Sequence, residues 1–229
     1  MNQTTLNGIR ACVFDAYGTL FDFNSAVMRC RDAIGDDAAR LSEIWRTKQL
    51  QYTWLRSLMH KHADFWQVTG DALDYALAAV GIADPALRER LMALYRMLDT
   101  FPEVPSVLQE LKAGGMRTAI LSNGAPDMLG AAVAAAGLDD VLDAWLSVED
   151  VGVYKPDPRV YQLAVDRLGV PADAICFMSS NAWDAVGAAA FGFRVVWVNR
   201  YGQPHERLPA RHDVELTDLV PLPGIVGAT

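Results

Sequence analysis

A short apolar run that ends in one carboxylate and a glycine turn constrains this chain more than any other segment. Residues 11–14 are Ala-Cys-Val-Phe. Asp15 follows directly, and Gly18 comes three residues after it. A buried parallel strand is a continuous apolar run of this kind, and ligands of open α/β sheets bind at the carboxyl ends of the strands. The pattern therefore makes Asp15 a candidate nucleophile. A single aspartate here is about as often only a cap or turn residue.

Composition and charge fit one sizeable core with an insertion and exclude several kinds of partner. The chain has 229 residues, of which 52% are apolar and 21% charged, and its formal net charge is −8. These values are those of an ordinary globular protein. An acidic chain does not attract phosphate backbones, so we expect neither nucleic acid nor an anionic membrane as a partner. A small anionic substrate would need a local basic pocket.

Cysteine usage and the first residues bear on the location of the protein. Cys12, Cys30 and Cys176 are far apart and lack Cys-x-x-Cys spacing, so we expect buried thiols and neither a disulfide framework nor a zinc site. Residues 1–5 are polar, without the order of a signal peptide, and no apolar run approaches the ~20 residues that span a bilayer. We expect a cytoplasmic protein.

Strand-like and helix-like segments alternate through most of the chain. This alternation predicts an α/β fold with a doubly wound parallel sheet. Gly137 and Gly169 stand where two of the helices should stop, as does the pair Gly114-Gly115. Besides the first apolar run, the predicted strands are residues 118–122, 144–148, 174–179 and 194–199, and the predicted helices are residues 104–113, 128–136, 159–168 and 183–191.

One region breaks this alternation. From about residue 24 to 98 we predict no strand, and apolar residues such as Leu41, Trp45 and Tyr52 recur at helical spacing. We expect a helical cap subdomain at residues 23–98, with residues 1–22 and 99–229 forming the α/β core and residues 101–105 acting as the return linker. A lid inserted after the Asp15 turn can exclude water and bring its own side chains to a substrate.

Polar side chains follow several of the predicted strands. Ser122 and Asn123 end the second strand, Lys155 follows the third, and the fourth is followed by a cluster of polar residues. A serine or asparagine at one strand end is more often a cap or turn residue. Their recurrence at one edge of the sheet indicates a functional site. The cluster after the fourth strand contains Ser179, Ser180, Asn181 and Asp184.

The segment Asp15-x-x-Gly18-Thr19-Leu20 resembles the first motif of the haloacid dehalogenase (HAD) superfamily. The leading aspartate of that motif forms a covalent aspartyl intermediate. Phosphatases of the superfamily carry a second aspartate two residues later as acid and base, and Tyr17 stands there in this chain. The difference removes the proton donor that a phosphoester needs and favours a leaving group that departs as a stable anion, such as halide.

Three further segments narrow the resemblance to the type II L-2-haloacid dehalogenases. They are residues 45–54 around Arg46, the Val-Tyr-Lys-Pro-Asp stretch at 153–157, and Ser-Ser-Asn-Ala-Trp-Asp at 179–184. The resemblance covers nearly the whole chain and implies a Rossmann-like HAD core with an inserted helical cap. It also implies hydrolysis of short-chain L-2-haloalkanoic acids to D-2-hydroxy acids and halide, through an ester on Asp15, and a homodimer.

The resemblance implies roles for the residues that would displace the halide. Asp15 attacks the halogen-bearing carbon, and Lys155 keeps Asp15 ionised. Arg46 and Asn123 hold the departing halide. The remaining substrate contacts come from Ser122 and the backbone amides near Ala16 and Tyr17 for the carboxylate, and from Phe65, Tyr17 and Trp183 for the alkyl group.

A second set of residues would hydrolyse the ester. By resemblance, Asp184 acts as general base and prepares the water together with Asn181 and Ser179. Thr19 and Tyr161 complete the polar set. Each role has a plainer alternative: Arg46 could be a solvated helix residue, Asp184 a carboxylate that favours a helix N-terminus, and the aromatic residues part of the core.

Two rival functions stay open from the sequence. One is a magnesium-dependent HAD phosphohydrolase acting on a small phosphate ester, which Tyr17 disfavours. The other is a non-catalytic binding protein on the same fold, which the intact set of Asp15, Lys155 and Asp184 disfavours. Two departures from the resembling enzymes, Ala16 and Thr47, leave the size of the substrate pocket open.

We expect no metal and no other cofactor. His60 and His62 are two residues apart on a predicted helix, so they would face different sides and not share an ion. His205 and His212 lie in a polar tail segment. Residues 52–59 carry more apolar bulk than one helix face can bury, which favours a dimer contact.

Overall fold

The computed structural model describes residues 5–228, so the polar start considered above lies almost wholly outside the described residues. Six parallel strands form one sheet in the order β3-β2-β1-β4-β5-β6, with helices on both sides. The strands are β1 (Ala11–Phe14), β2 (Arg117–Ser122), β3 (Ala144–Ser147), β4 (Ile175–Ser179), β5 (Arg194–Val198) and β6 (Val214–Leu216). The helices are α1 (Ser25–Met28), α2 (Arg31–Ile34), α3 (Ala38–Leu58), α4 (Phe65–Ala79), α5 (Pro85–Tyr95), α6 (Val104–Ala113), α7 (Pro126–Ala136), α8 (Pro158–Leu168), α9 (Ala182–Phe191) and α10 (Leu222–Val226).

The strand order confirms the predicted doubly wound parallel sheet. β1 is buried along its whole length and lies between β2 and β4, with Val13 opposite Ala119 on one side and Phe177 on the other. Burial on both faces explains why β1 is a continuous apolar run. The chain order reverses between β1 and β4, and in such sheets this is where the ligand crevice lies. Asp15 follows β1 directly at this point.

The predicted strands and helices of the sheet region are all present. The strand bounds differ from the prediction by one residue at most, and α7 and α8 begin earlier because Pro126 and Pro158 occupy their first turns. Two short elements were missed, β6 with three residues and α10 with five. Val104 and Pro105, expected in the return linker, form the first turn of α6.

Residues 23–98 contain the five helices α1 to α5 and no strand. Helix α3 packs against α4, where Trp45 Nε1 donates a hydrogen bond to the Thr69 carbonyl at 2.9 Å. The two chain passages between these helices and the sheet lie side by side, because the Asp22 amide donates to the Asp99 carbonyl at 2.8 Å. The two chain connections between the helices and the sheet therefore run next to each other.

The four histidines and the three cysteines differ in how they match the sequence predictions. Cys12, Cys30 and Cys176 are free and buried, as predicted. The placement of His60 and His62 on one helix was wrong, since α3 ends at Leu58 and His60 has a positive φ of 54°.

Among the residues that the structure describes, no helix is long and apolar enough to cross a membrane.

Candidate active site

The turn after β1 fixes the Asp15 backbone at the carboxyl edge of the sheet. The Asp15 amide donates to the Met178 carbonyl of β4 at 2.9 Å, and the Ala16 carbonyl accepts the amide of Leu20 at 2.9 Å. Gly18 has a φ of 91°, and a Cβ there would lie 3.0 Å from Ser180 Oγ. Glycine meets both the backbone and the space requirement of this turn. The Asp15 side chain is thereby delivered into the crevice.

Both carboxylate oxygens of Asp15 are held by hydrogen bonds. Oδ1 accepts from Lys155 Nζ at 3.0 Å, and Oδ2 accepts from Asn181 Nδ2 at 2.8 Å and from Thr19 Oγ1 at 3.4 Å. Thr19 Oγ1 in turn accepts the Ser180 amide at 2.8 Å, which joins the β1 turn to the end of β4. The Asp15 carboxylate therefore has one preferred orientation.

Lys155 lies between two carboxylates. Its Nζ donates to Asp184 Oδ2 at 2.9 Å as well as to Asp15, and the side chains of Lys155 and Asp184 are 1% and 0% exposed. Burial alone would lower the pKa of Lys155, but the Asp15 and Asp184 carboxylates outweigh it and raise that pKa above its ordinary value. Lys155 is therefore charged at neutral pH and supplies the positive charge that both aspartates need.

Asp184 lies in the first turn of α9 and faces Lys155 and Tyr161. Tyr161 Oη donates to Asp184 Oδ1 at 2.8 Å. A Cβ at Gly187 would lie 2.5 Å from Tyr161 Oη, so the glycine makes room for this contact. Burial raises the pKa of Asp184, the Asp15 carboxylate adds to the rise, and Lys155 opposes it. Asp184 thus holds protons more readily than an exposed aspartate does.

Asn181 joins the sheet to helix α3. Its Oδ1 accepts a hydrogen bond from Arg46 Nη2 at 3.1 Å, while its Nδ2 donates to Asp15. Its own amide donates to Ser179 Oγ at 3.2 Å, which fixes the backbone after β4. Arg46 therefore reaches the Asp15 site from the helical region.

Three buried residues that were not predicted as functional hold Arg46. Arg46 Nη1 donates to Gln49 Oε1 at 2.9 Å, and Gln49 Nε2 donates to Thr69 Oγ1 at 2.8 Å and to Tyr95 Oη at 3.2 Å. Gln49 is only 1% exposed. Its position one helical turn after Arg46 was the only signal in the sequence, because residues three apart on a helix are neighbours.

The end of β2 is tied to the loop that carries Lys155. Asn123 Oδ1 accepts the Lys155 amide at 3.0 Å, and Ser122 Oγ accepts the Gly124 amide at 3.0 Å. Both side chains are buried. Because these bonds use acceptor positions, the Ser122 hydroxyl and the Asn123 amide group can still donate to an anion.

Tyr17 and Phe65 form an aromatic wall, and Trp183 belongs to a different aromatic pair. The Tyr17 ring lies 5.6 Å from the Phe65 ring and 5.4 Å from the Tyr95 ring. Burial is the main cause that raises the pKa of Tyr17 above its ordinary value, and the neighbouring Tyr95 and Asp15 raise it further. The Tyr17 hydroxyl is therefore protonated at neutral pH and cannot act there as a base. Trp183 packs edge-on against Trp54 at 5.2 Å.

The two departures from the resembling enzymes lie in different surroundings. Ala16 is fully buried in the β1 turn, directly after Asp15. Thr47 is exposed on α3, so it does not shape the interior of the site. The open question of pocket size therefore concerns Ala16 alone.

This fold and this arrangement of charged groups define a hydrolase of the HAD class. The family model of the haloacid dehalogenase-like hydrolases matches residues 9–192. The (S)-2-haloacid dehalogenase 4A of Burkholderia cepacia is 51% identical over 221 residues, which cover 95% of this chain and 96% of the relative. The (S)-2-haloacid dehalogenase 1 of Pseudomonas sp. (strain CBS-3) is 49% identical over 224 residues, which cover 96% of this chain and 98% of the relative.

Solved structures give the same result. The L-2-haloacid dehalogenase from Xanthobacter autotrophicus with chloropropionic acid covalently bound has a TM-score of 0.89 and 38% identity, over 95% of this chain and 98% of that chain. The chain therefore belongs to the haloacid dehalogenase-like hydrolases and, among them, to the (S)-2-haloacid dehalogenases. The predicted enzyme class, a hydrolase acting on carbon–halide bonds, is confirmed.

Proposed function

We propose that this enzyme hydrolyses short-chain L-2-haloalkanoic acids to D-2-hydroxy acids and halide through an ester on Asp15. The observation that carries the proposal is the Asp15 carboxylate, held at both oxygens beside charged Lys155. A carboxylate fixed in this way is a positioned nucleophile, and positioning raises its effective concentration by several orders of magnitude. The Xanthobacter relative with chloropropionic acid covalently bound supports a covalent route.

In the first step, one oxygen of the Asp15 carboxylate attacks C2 of the substrate from the side opposite the halogen. The C–O bond forms as the carbon–halogen bond breaks, so C2 inverts once and halide leaves with the bonding electrons. Ser122 and the backbone amides near Ala16 and Tyr17 bind the substrate carboxylate. We assign binding of the alkyl group to Phe65, Tyr17 and Trp183.

The departing halide needs donors where its negative charge develops. Arg46 is the charged group of the helical region that is linked to the site, through Asn181 at 3.1 Å. Asn123 lies on the opposite side of the site, at the end of β2, with its amide group able to donate. We assign the halide cradle to these two residues.

In the second step, water attacks the acyl carbon of the Asp15 ester. Asp184 takes a proton from this water, the ester bond breaks, and the 2-hydroxy acid leaves with the oxygen that Asp15 contributed. Asn181 and Ser179 orient the water, while Thr19 and Tyr161 hold the two carboxylates. Because burial raises the pKa of Asp184, this group is suited to accept a proton and return it.

A magnesium-dependent phosphohydrolase is the less favoured alternative. The position of the second acid is taken by Tyr17, whose ring packs against Phe65, and the Lys155 ammonium group lies between the two aspartates. We propose a reaction that needs no metal or other cofactor. A carboxylate substrate with one charge can be held by Ser122, backbone amides and Arg46 without a metal ion.

Halide and acid release decide between these functions. The purified enzyme is assayed with both enantiomers of 2-chloropropionate in excess EDTA, and with a small phosphate ester plus magnesium. We expect full activity on the L enantiomer in EDTA, D-lactate as the product, and no phosphate release. Activity that is lost in EDTA and restored by magnesium would contradict the proposal, and the absence of acid release under all conditions would favour a binding protein.

We also propose that residues 23–98 form a cap over the sheet.

We propose further that the enzyme is a homodimer whose two chains contact each other at the C-terminal end of α3. Leu55, Leu58 and Met59 are 50%, 77% and 58% exposed, and apolar residues grouped in this way often mark a contact surface. Sedimentation at micromolar concentration should give twice the mass of the chain, and Leu58→Asp should give the monomer. A monomeric wild type would contradict the dimer.

The cytoplasmic location stays a prediction.

A further inference from the structure

Two histidines and a glutamate that have no role assigned in dehalogenation meet at the surface. His205 and His212 lie between β5 and β6, and Glu215 is the middle residue of β6. His205 Nε2 is 3.4 Å from Glu215 Oε2, and the three side chains offer donor atoms that all lie within 4.8 Å of one another. Within residues 5–228, this is the one group of three metal-type ligands with such spacing.

A buried indole holds both imidazole rings. The two rings stack at 5.4 Å with an angle of 9° between their planes. Each also contacts the ring of Trp197, at 5.4 Å for His205 and 5.3 Å for His212. Trp197 is 1% exposed, and its Nε1 donates to the Ser180 carbonyl at 3.3 Å. The rings therefore rest on a rigid base, although His205 itself is exposed.

A second buried side chain orients the carboxylate. Asn199 Nδ2 donates to Glu215 Oε1 at 2.8 Å, and Asn199 is 8% exposed. Asn199 also binds both backbone groups of Gln203, at 2.9 Å and 2.7 Å, which fixes the start of the segment that carries His205. Glu215 Oε2 is left facing His205. An outer partner of this kind is typical of metal-binding carboxylates.

We propose that His205, His212 and Glu215 form a surface site for a divalent transition metal ion of the zinc class. Imidazole suits zinc, copper and nickel, and a carboxylate completes three protein ligands. Ligand bonds of 2.0 to 2.2 Å in a tetrahedron place the donor atoms about 3.3 to 3.6 Å apart. The His205–Glu215 pair already has this spacing, at 3.4 Å. The other two pairs lie within 4.8 Å, so binding an ion would require them to close by at most about 1.5 Å.

The fourth position of the ion would face open space. His205 and His212 line a surface cavity of about 440 Å³ together with Ala182 and Val186 of α9. Water or a small anion can enter this cavity and complete the tetrahedron. The bound ion would join the segment after β5 to β6 and so stabilise the folded chain, by an amount that grows with the logarithm of the free ion concentration above Kd. None of the three ligands belongs to the set of residues assigned to dehalogenation.

Zinc titration of the tag-free, metal-free chain tests the proposal, with calorimetry and equilibrium dialysis as readouts. We expect about one Zn²⁺ per chain and a higher thermal midpoint with zinc. His205→Ala and His212→Ala should each lose this binding. Glu215→Gln should weaken it at least tenfold, and Asn199→Ala by about 10- to 100-fold, because an outer partner orients the carboxylate.

The two other histidines provide a matched control. The chain has four histidines, so the double variant His60→Ala/His62→Ala has lost as many imidazoles as remain in the site. It should bind zinc like the wild type. The three cysteines are buried and do not compete. The proposal is overturned if the wild type shows no saturable binding, if His212→Ala binds equally well, or if the control variant loses the ion.

Discussion

The sheet and the helical region bring their charges to the site in different ways. Asp15, Lys155 and Asp184 come from the sheet region, are at most 9% exposed at their side chains, and are joined because Lys155 binds both carboxylates directly. Arg46 comes from the helical region and meets the sheet residues through Asn181. The sheet region thus fixes Asp15, the proposed nucleophile, before any substrate binds, whereas the position of Arg46 depends on how the helices pack against the sheet.

The buried charges and the charge on the helices also differ in what they contribute to the free energy of unfolding. A buried set of two carboxylates and one ammonium group is weak support for stability, because removing the charges from water offsets most of their attraction. The set is explained by the chemistry, since fixed charges need no rearrangement during the reaction. A group on a helical lid can instead move away to admit substrate and return to stabilise the leaving group.

The largest expected effect is that of Asp15→Asn on turnover. Removing a covalent nucleophile should lower kcat by about 10⁴-fold or more, because no other group forms the ester. Asp22→Asn, a change in the same connection outside the site, should keep the wild-type kcat. Steady-state halide release measures both. Substantial residual activity in Asp15→Asn would mean that water attacks C2 directly and that the sheet does not supply the nucleophile.

Lys155→Met should damage both activity and stability. The change leaves two buried carboxylates without their cation, which typically lowers the free energy of unfolding by about 3–5 kcal/mol. It should also lower kcat by about 10²-fold or more. The double variant Lys155→Met/Asp184→Asn should regain part of the stability but none of the activity. Urea unfolding is the measurement, and an unchanged midpoint in the single variant would show that the sheet charges do not depend on one another.

Arg46→Ala should separate the two regions. We expect kcat to fall by about 10²- to 10³-fold, as when one donor to a developing charge is removed. The free energy of unfolding should change less than in Lys155→Met, because Arg46 is only partly buried. Arg56→Ala on the same helix, where Arg56 pairs with Asp71 at 2.8 Å, is the matched control and should keep kcat. Near wild-type turnover in Arg46→Ala would place the halide cradle elsewhere.

The smallest expected effect is a difference in alkylation rate among the three buried cysteines. Each thiol reacts only when its own region unfolds locally, so the rates measure the opening of the sheet and of the helical region separately. Cys12 and Cys176 lie in β1 and β4, and Cys30 lies between α1 and α2. Burial raises the pKa of Cys12 to about 12 and the pKa of Cys176 and Cys30 above the ordinary value, so all three thiols are protonated at neutral pH. Alkylation followed by peptide mass spectrometry should modify Cys30 first. Equal rates would show that the two regions open together.

The same two regions differ in how far the sequence predicted them. The strands of the sheet were found because burial on both faces leaves short apolar runs, and their polar ends predicted where Asp15, Lys155 and Asp184 would lie. The three-residue β6 and the five-residue α10 were missed, because elements of that length have no periodicity to detect.

Contacts between distant elements were the other gap. Gln49, Thr69 and Tyr95 look like ordinary helix residues, and only the packing of α3 on α4 shows that they hold Arg46. His205 and His212 are seven positions apart in a segment without regular structure, and Trp197 brings them together. Hydrophobic periodicity predicts which elements form, but it carries little information on which polar side chains meet across them.

A single-turnover reaction in ¹⁸O water tests the covalent role of Asp15 most directly. Enzyme is used in excess over L-2-chloropropionate, and the product and the peptide that contains Asp15 are both examined by mass spectrometry. If water attacks the acyl carbon of the ester, ¹⁸O enters the Asp15 carboxylate and the hydroxyl of the first product is unlabelled. Label in the hydroxyl of that first product, with an unlabelled Asp15, would show that water displaces the halide itself and would contradict the covalent mechanism.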